Sequence, residues 1–482
     1  MPPSLPSSKP QRRVFIETFG CQMNVLDSEL VRDQLLALGY RVASRADDAD
    51  VVLFNTCAVR EQSEQKVLSR LGVMSRRKQE RPDLVVGMLG CMAERTGEQL
   101  QRALRHLDVV VGPSELDRLP ALLDDVAAGQ GQVRALSGHG VRRSRTLDAA
   151  MDRLEALDHG RMVDPDEVGA QRYVRVTRGC NKMCSFCVVP FTRGPEVHRE
   201  PDAIVDEVRR LAAAGVVEVT LLGQTINHYR HGDTDFARLL ARVHDEVPEL
   251  RRLRFLTSYP RDFTDATLEV MATRARVCPF LHVPAQSGSD RLLKKMNRGY
   301  TVEQYLDLVR RARAAVPQLA IVGDMIVGYP SETEADHAAS LELLRAVSYK
   351  TVYVFKYSPR PGTVSISRDA DDVPDDVKRG RNQQMLALQH EISLAHHRGL
   401  VGSTVEVLVE GTAKVDPRDR RDQHDALVQI ARPVRVAGTV RLTSRTRGDH
   451  IVAFDGAAAL VGSLAQVRVT RASPLSLSGE LA

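Results

Sequence analysis

The stretch YVRVTRGCNKMCSFC (residues 173–187) decides the fold of this chain. It begins with the alternation of a β-strand and continues into a loop that carries Cys180, Cys184 and Cys187. Thiolates are soft ligands that select iron–sulfur clusters, zinc or copper(I). The Cys-x3-Cys-x2-Cys spacing lets one loop hold three corners of a cubane cluster and leaves the fourth iron open. A zinc knuckle completed by a distant residue is the alternative, since no other Cys or His follows before His198.

A parallel barrel is predicted around this loop. Helical patterns separate the first strand from five more apolar strands, as in EPDAIVDEVRRLAAAG (200–215). The five strands are EVTLLG (218–223), RLRFLTS (252–258), FLHVP (280–284), IVGDMIVGYP (321–330) and TVYVFKYS (351–358). We therefore expect a (β/α)6 partial barrel over residues 171–398. Because barrel active sites lie at the carboxyl ends of strands, the position of the cysteine loop favours a catalytic cluster.

Residues 13–135 show the same rhythm of strands and helices, which predicts a doubly wound parallel sheet. Cys21, Cys57 and Cys91 each lie one or two residues past the end of a predicted strand. The carboxyl ends of parallel strands meet at one edge of a sheet, so these cysteines are expected to converge there. A second cluster held by three thiolates is the resulting hypothesis, and three separately buried structural cysteines are the alternative.

The remaining boundaries follow from composition. Residues 400–472 contain short strands between Gly and Asp turns and predict a small β-barrel. Residues 136–170 are predicted to be a linker, 1–12 a disordered tail and 473–482 a second tail. Five arginines in the small barrel are expected to line a groove for phosphates, with a solvated charged surface as the alternative. They are Arg432, Arg435, Arg441, Arg445 and Arg447.

Composition excludes several classes of protein. The chain has 482 residues, of which 43% are hydrophobic and 27% charged, as in ordinary globular proteins. Seven cysteines are too few for a disulfide scaffold of this length, and Cys278 is predicted to be a buried apolar residue. No stretch is long and apolar enough for a membrane span, and the amino terminus lacks the apolar region of a secretory signal. A cytoplasmic protein is expected. The formal net charge of +5 permits a nucleic-acid partner without requiring one.

The cysteine loop, with Phe186 before its last cysteine, resembles the motif of the radical S-adenosylmethionine superfamily. Further motifs narrow the resemblance to the methylthiotransferases, and to their MiaB-type branch that modifies tRNA. It covers residues 13–471. The motifs are FGCQMN (19–24), NTCAVRE (55–61), TLLGQTIN (220–227), LHVPAQSGS (281–289), MIVGYPSET (325–333) and YSPRPGT (357–363).

This resemblance implies three domains: a methylthiotransferase domain, a radical-SAM barrel and a TRAM domain. It implies that Cys180, Cys184 and Cys187 bind the catalytic, radical-generating [4Fe-4S] cluster and that Cys21, Cys57 and Cys91 bind an auxiliary one. The implied cofactor contacts with S-adenosylmethionine are weaker predictions, for which an ordinary loop structure is the alternative. They are Gly223 and Gln224 for the amino group, Gln286 and Ser287 for the ribose, and Arg193 for the carboxylate or a phosphate.

The implied substrate is tRNA carrying N6-isopentenyladenosine at position 37, and the product is its 2-methylthio derivative. An electron donor such as a flavodoxin or ferredoxin is implied as a partner, and a monomer is expected. The identity of the sulfur donor is not indicated. The competing hypotheses are a zinc-containing RNA-binding protein without catalysis, and a methylthiotransferase acting on threonylcarbamoyladenosine or a ribosomal protein.

Overall fold

The computed structural model describes residues 11–59, 61–138, 155–161, 169–413 and 438–482. Most of the predicted tail at 1–12, much of the linker at 136–170, and both Arg432 and Arg435 lie outside these residues. Within them, an α/β sheet domain, a parallel barrel domain and a small closed β-barrel follow one another along the chain. The predicted fold class is confirmed.

The first domain is a six-stranded parallel sheet in the order β2-β1-β3-β4-β5-β6. Strands β3 and β4 are buried along their whole length, because helices cover both faces of the sheet. Alternate residues of β3 enter two separate cores, with Val51 and Leu53 on one face and Val52 and Phe54 on the other. The strands are β1 (Arg13–Thr18), β2 (Arg41–Val42), β3 (Val51–Thr56), β4 (Val85–Gly90), β5 (Val109–Val111) and β6 (Val133–Ala135). The helices are α1 (Gln22–Ala37), α2 (Glu61–Glu80), α3 (Cys91–Ala103) and α4 (Leu119–Ala127).

The second domain holds the six predicted barrel strands in chain order. They form two parallel sheets, β7-β10-β13 and β14-β15-β16, with an isolated bridge between Leu253 and Val277 beside their junction. The strands are β7 (Gln171–Arg175), β10 (Glu218–Leu222), β13 (Arg252–Phe255), β14 (Phe280–His282), β15 (Ala320–Val327) and β16 (Thr351–Lys356). Two antiparallel pairs accompany them: β8 (Thr177–Arg178) with β9 (Val197–His198), and β11 (Arg230–His231) with β12 (Thr234–Asp235).

Helices surround this barrel, and one large apolar core lies between helices and strands. A long final helix packs against β16. The helices are α5 (Val189–Thr192), α6 (Pro201–Ala213), α7 (Phe236–Glu246), α8 (Asp265–Thr273), α9 (Asp290–Lys295), α10 (Val302–Ala315), α11 (Glu334–Val347), α12 (Val364–Arg368) and α13 (Asp375–Arg398).

The third domain is a closed barrel in the order β17-β18-β19-β21-β20. Its strands are β17 (Thr404–Thr412), β18 (Val440–Thr446), β19 (Ile451–Gly456), β20 (Leu464–Ala472) and β21 (Leu477–Leu481). The prediction of a tail at 473–482 is wrong, because β21 pairs with both β19 and β20 and closes the barrel. Without β21 the sheet would have an unpaired edge.

The third domain covers the amino-terminal end of the barrel strands, opposite the cysteine loop. Arg252, the first residue of β13, is buried and its Nη2 lies 2.9 Å from the carboxylate of Glu406. Lys350 lies just before β16 and its Nζ is 3.1 Å from the carboxylate of Asp449. Arg447 donates to the carbonyl of Val277 at 2.9 Å. The small barrel is therefore docked through buried polar groups.

Two of the described arginines predicted to line a phosphate groove make contacts inside the protein. Arg445 pairs with Glu410 and Asp449, and Arg447 binds backbone carbonyls of the second domain. Arg441 lies 3.5 Å from the Asp455 carboxylate. Among the described residues, these three side chains therefore do not line a free groove. In the part of the chain that the structure describes, no helix is long and apolar enough to cross a membrane.

Candidate functional site

The first three cysteines follow three neighbouring strands. Cys21 comes after β1, Cys57 directly follows β3, and Cys91 directly follows β4 and begins α3. The chain order of the sheet reverses between β1 and β3, where the loops leave toward opposite faces and open a crevice. The predicted convergence at this edge is therefore supported by the topology.

Close backbone approach brings these loops together. A Cβ on Gly20, whose φ is +120°, would lie 2.6 Å from the Cβ of Cys57. A Cβ on Gly90, whose φ is +91°, would lie 2.6 Å from the carbonyl oxygen of Thr56. Glycine is required at both positions because any side chain would clash and because the left-handed backbone disfavours L-residues. The glycine before Cys21 and the glycine before Cys91 thus let the cysteine loops pack against each other.

An asparagine network ties the same loops. The amide of Asn24 donates to the carbonyl of Thr56 at 2.8 Å, and the amide of Asn55 donates to the carbonyl of Asn24 at 2.8 Å. Both asparagines are fully buried. Since a buried amide must find partners, this reciprocal arrangement fixes the loop after β1 relative to the loop after β3.

The second set, Cys180, Cys184 and Cys187, lies in one loop at the carboxyl end of the first barrel strands. Hydrogen bonds to residues outside the loop hold it in place. Ser185 donates to the carbonyl of Lys295 at 3.0 Å and hydrogen-bonds the Tyr329 hydroxyl at 2.8 Å. These partners come from the ends of α9 and β15, so distant parts of the barrel hold the cysteines in place.

Two polar groups contact the sulfur atoms of this loop. The hydroxyl of Thr225 lies 3.3 Å from Cys180 Sγ, and Nη1 of Arg298 donates to Cys184 Sγ at 3.5 Å. Arg298 is buried and its guanidinium lies over the ring of Tyr259. Its oxygen partners, the Tyr300 hydroxyl and the Pro284 carbonyl, are neutral. The loop therefore faces a buried positive charge.

Burial governs the protonation of these thiols. It raises the pKa of Cys187 to about 12, and the neighbouring Cys184 adds to the shift. Burial also raises the pKa of Cys180 and of Cys91, and the charge of Arg193 opposes the shift at Cys91. Crowded thiols that resist ionisation become thiolates readily only when a metal replaces their protons. The donor set therefore fits a thiolate-bound metal group better than an isolated nucleophile.

The two sets of cysteines share a wall. Cys91 packs in one buried apolar cluster with Ala58 and with Val188, the residue after Cys187. Helix α3, which Cys91 begins, contacts α5, which starts at Val189. Although about 90 residues separate Cys91 from Cys180 in the sequence, the fold thus brings the segments that adjoin the two sets of cysteines into contact.

The residues predicted to bind S-adenosylmethionine divide into two groups. Gly223 and Gln224 follow β10 beside Cys180, and Oε1 of Gln224 is buried with no hydrogen-bond partner among the described residues. Gln286 has a left-handed φ of 73° and bridges to Met325. The Ser287 hydroxyl, in contrast, is 1% exposed and accepts from the Ser289 amide at 3.1 Å, so it stabilises its own turn.

Arg193 contacts residues of the first domain. Its guanidinium lies 2.7 Å from the buried carboxylate of Asp27 and 3.1 Å from the side chain of Asn24, and it is close enough to Cys91 and Cys21 to affect them electrostatically. That Arg193 binds the methionine carboxylate or a phosphate stays a prediction. Asp27, Asn24 and Arg298 were not predicted from the sequence, because nothing in their local pattern signals a partner more than 100 residues away.

Comparisons with known proteins agree with this geometry. Residues 13–112 match the family model described as uncharacterized protein family UPF0004, and residues 174–344 match the radical SAM superfamily. A tRNA-2-methylthio-N(6)-dimethylallyladenosine synthase of Rhodopirellula baltica is 41% identical over 98% of this chain and 95% of its own. One of Porphyromonas gingivalis is 40% identical over 98% of this chain and 96% of its own. The chain belongs to this family of synthases.

The fold comparison is consistent with membership in the radical SAM superfamily. A radical S-adenosylmethionine methyltransferase, TsrM, of Kitasatospora setae was solved with cobalamin and a [4Fe-4S] cluster bound. It superposes with a TM-score of 0.53 at 18% identity, covering 74% of this chain and 77% of its own. The likeness concerns the fold alone. Membership in the radical SAM superfamily implies a [4Fe-4S] cluster and S-adenosylmethionine as cofactors.

Proposed function

We propose that this chain converts N6-isopentenyladenosine at position 37 of tRNA to its 2-methylthio derivative. One S-adenosylmethionine would serve as methyl donor and one as radical source. The observation that carries the proposal is the contact of Cys91, from the first triad (Cys21, Cys57 and Cys91), with Val188, the residue after the second triad (Cys180, Cys184 and Cys187). The names of the relatives, which cover nearly the whole chain, support the same substrate.

Each triad is proposed to hold one [4Fe-4S] cluster. Cys180, Cys184 and Cys187 would bind the radical-generating cluster. Cys21, Cys57 and Cys91 would bind the auxiliary cluster. Three thiolates leave one corner of a cubane without a protein ligand, which suits a cluster that must accept a further ligand. When bound, these groups would supply the radical that removes the hydrogen at C2 and would hold the sulfur, from a donor not identified, that takes its place, because this C–H bond offers no acidic proton to a side-chain base.

The chain's own residues orient and isolate that chemistry. The unpartnered Oε1 of Gln224 suits an acceptor for an ammonium group, next to Gly223, where a Cβ would lie 2.3 Å from the Thr177 hydroxyl. Arg298 places a buried charge beside Cys184, which favours added negative charge at that sulfur. Arg193 and Asp27 form a buried pair that supports the loops of the first domain.

The proposed partners are tRNA and an electron donor such as a flavodoxin or ferredoxin, with the enzyme acting as a cytoplasmic monomer. Arg445 and Arg447 are engaged within the protein, so phosphate contacts of the small barrel would come from other residues. Arg471 on β20 is exposed and suits this role.

Nucleoside analysis of tRNA from a strain that lacks this gene tests the substrate. We expect loss of 2-methylthio-N6-isopentenyladenosine and accumulation of N6-isopentenyladenosine, with restoration by the intact gene. Loss of 2-methylthio groups from threonylcarbamoyladenosine instead, or from a ribosomal protein, would contradict the proposal.

Metal analysis of anaerobically purified protein separates the enzyme from a zinc-containing RNA-binding protein. We expect about eight iron atoms and matching sulfide per chain, as two cubanes require. Cys57→Ala should lose about half of the iron. Cys278→Ala is the matched control, because this buried thiol lies in an apolar cluster away from both triads and its loss should leave iron unchanged. Zinc without sulfide in the intact protein would favour the competing class.

A further inference from the structure

Three side chains that the proposed reaction does not use meet on the outer side of the cysteine loop. Glu196 lies just before β9, His198 ends β9, and His228 ends a short 3-10 helix (Ile226–His228) that follows β10. One ligand atom from each residue lies within 4.8 Å of the others. Two imidazoles and a carboxylate are thus brought together from two separate loops.

The carboxylate of Glu196 joins the two rings. Its Oε2 is 2.9 Å from Nδ1 of His228, and its Oε1 is 3.3 Å from Nε2 of His198. The side chain of Glu196 is only 1% exposed, and its Oε1 has no hydrogen-bond partner among the described residues. Burial raises the pKa of Glu196, but the two histidines beside it lower it overall, so the carboxylate is ionised.

His198 is held by the backbone of Arg230. Its Nδ1 lies 2.6 Å from the carbonyl oxygen of Arg230 and 2.9 Å from the amide nitrogen of the same residue. These contacts position the ring with Nε2 at 3.3 Å from the carboxylate of Glu196.

We propose that Glu196, His198 and His228 bind one divalent transition-metal ion of the zinc class. Two histidines and one glutamate are a ligand set that zinc uses where a fourth position stays open. Imidazole and carboxylate ligands suit zinc and its neighbours better than iron–sulfur chemistry, which selects thiolates. The bond from His198 to the Arg230 carbonyl is the outer-shell contact that commonly fixes a metal-binding histidine.

A cavity of about 520 Å³ adjoins the two histidines. His198 and His228 line it together with Asp235, Thr264 and Thr267, so water or a small polar ligand can complete the coordination. The ion would connect β9, which follows the cysteine loop, to the turn that follows Gln224. It would thereby fix two segments that flank the proposed cofactor site without taking part in the reaction. The inference does not depend on the proposed substrate.

Zinc binding by the cluster-loaded enzyme tests this proposal. The protein is first treated with EDTA under anaerobic conditions and then dialysed against zinc, and bound zinc, iron and sulfide are measured together. We expect one additional zinc per chain with iron and sulfide unchanged. His228→Ala should abolish this uptake, and because His228 is exposed the variant is expected to fold. His231→Ala, in the adjacent exposed strand β11, is the matched control and should bind as the intact protein does.

Zinc-edge X-ray absorption gives a second readout. A spectrum in which zinc has imidazole nitrogen and oxygen ligands and no sulfur ligand would support the site. Uptake accompanied by loss of iron, or a sulfur neighbour, would place zinc at the cysteines and refute the proposal. Equal uptake by the intact protein and His228→Ala would also refute it. Absence of uptake would likewise refute the proposal.

Discussion

Replacing Arg298 by glutamine tests whether a buried charge sets the reduction potential of the proposed radical-generating cluster. Arg298 is 6% exposed, and its Nη1 donates to Cys184 Sγ at 3.5 Å. Among the described residues, its hydrogen-bond partners are neutral oxygen atoms and the sulfur, so its charge is not cancelled by a hydrogen-bonded carboxylate. A positive charge in this position stabilises the reduced form of the cluster, which carries one more electron.

The expected shift follows from that distance. A unit charge at 3.5 Å from a unit negative charge interacts by about 5 kcal/mol at an effective dielectric constant of about 20. The electron added on reduction is spread over the cluster, so about a quarter of this energy, roughly 1 kcal/mol, should act on the couple. For one electron this corresponds to about 50 mV. Arg298→Gln should therefore lower the midpoint potential by about 50 mV.

Redox titration followed by electron paramagnetic resonance measures this potential directly. The measurement uses a Cys57→Ala background, so that only the cluster of the second triad contributes to the signal. Arg298→Lys should retain most of the potential because it keeps the charge. Arg261→Gln is the matched control, since Arg261 lies nearby against Gly299 but is largely exposed. An unchanged or higher potential in Arg298→Gln, with iron content intact, would refute the reasoning.

Three other predictions concern separate parts of the molecule. Cys184→Ala should abolish reductive cleavage of S-adenosylmethionine, whereas Cys57→Ala should spare cleavage and stop sulfur insertion; cleavage at the normal rate by the Cys184 variant would contradict the ligand assignment. Burial raises the pKa of Asp158, but the charges of Arg175 and Arg199 lower it overall. The stability that the ionised carboxylate contributes is therefore present above pH about 4 and is lost as the pH falls further. Asp158→Asn should cost about 3–5 kcal/mol in chemical denaturation at neutral pH and flatten this acid dependence; an unchanged profile would oppose the assignment. Phe454→Ala, in the core of the small barrel, should cost about 3–5 kcal/mol and increase amide exchange there, while cleavage of S-adenosylmethionine stays normal. Equal loss of cleavage would show that the small barrel and the cysteine loop are coupled.

The parts of the site that follow strand ends could be predicted from the sequence. Strands such as VVLFN (51–55) are recognisable by their apolar runs, and parallel sheets place all carboxyl ends at one edge. The positions of Cys21, Cys57 and Cys91 relative to such strands therefore contain three-dimensional information. The same logic placed the loop of Cys180 at the carboxyl end of the barrel.

Side-chain contacts between residues far apart in the sequence could not be predicted in this way. Arg193 follows the cysteine loop by six residues, yet its partner is Asp27 in the other domain. Arg298 contacts Cys184 across 114 residues. A guanidinium suits a carboxylate, a phosphate or a cofactor equally, and only the fold decides which of them lies within reach. The arginines of the small barrel show the same limit, since Arg445 and Arg447 are engaged inside the protein.

The wall of Ala58, Cys91 and Val188 has a consequence for how the protein matures. Cys91 of the proposed auxiliary site packs against Val188, the residue after Cys187 of the proposed radical-generating site. We therefore expect filling of one site to help to order the other, although each can still be filled alone, as in Cys57→Ala. A cell short of iron would then contain fewer half-loaded chains than independent filling of the two sites would give.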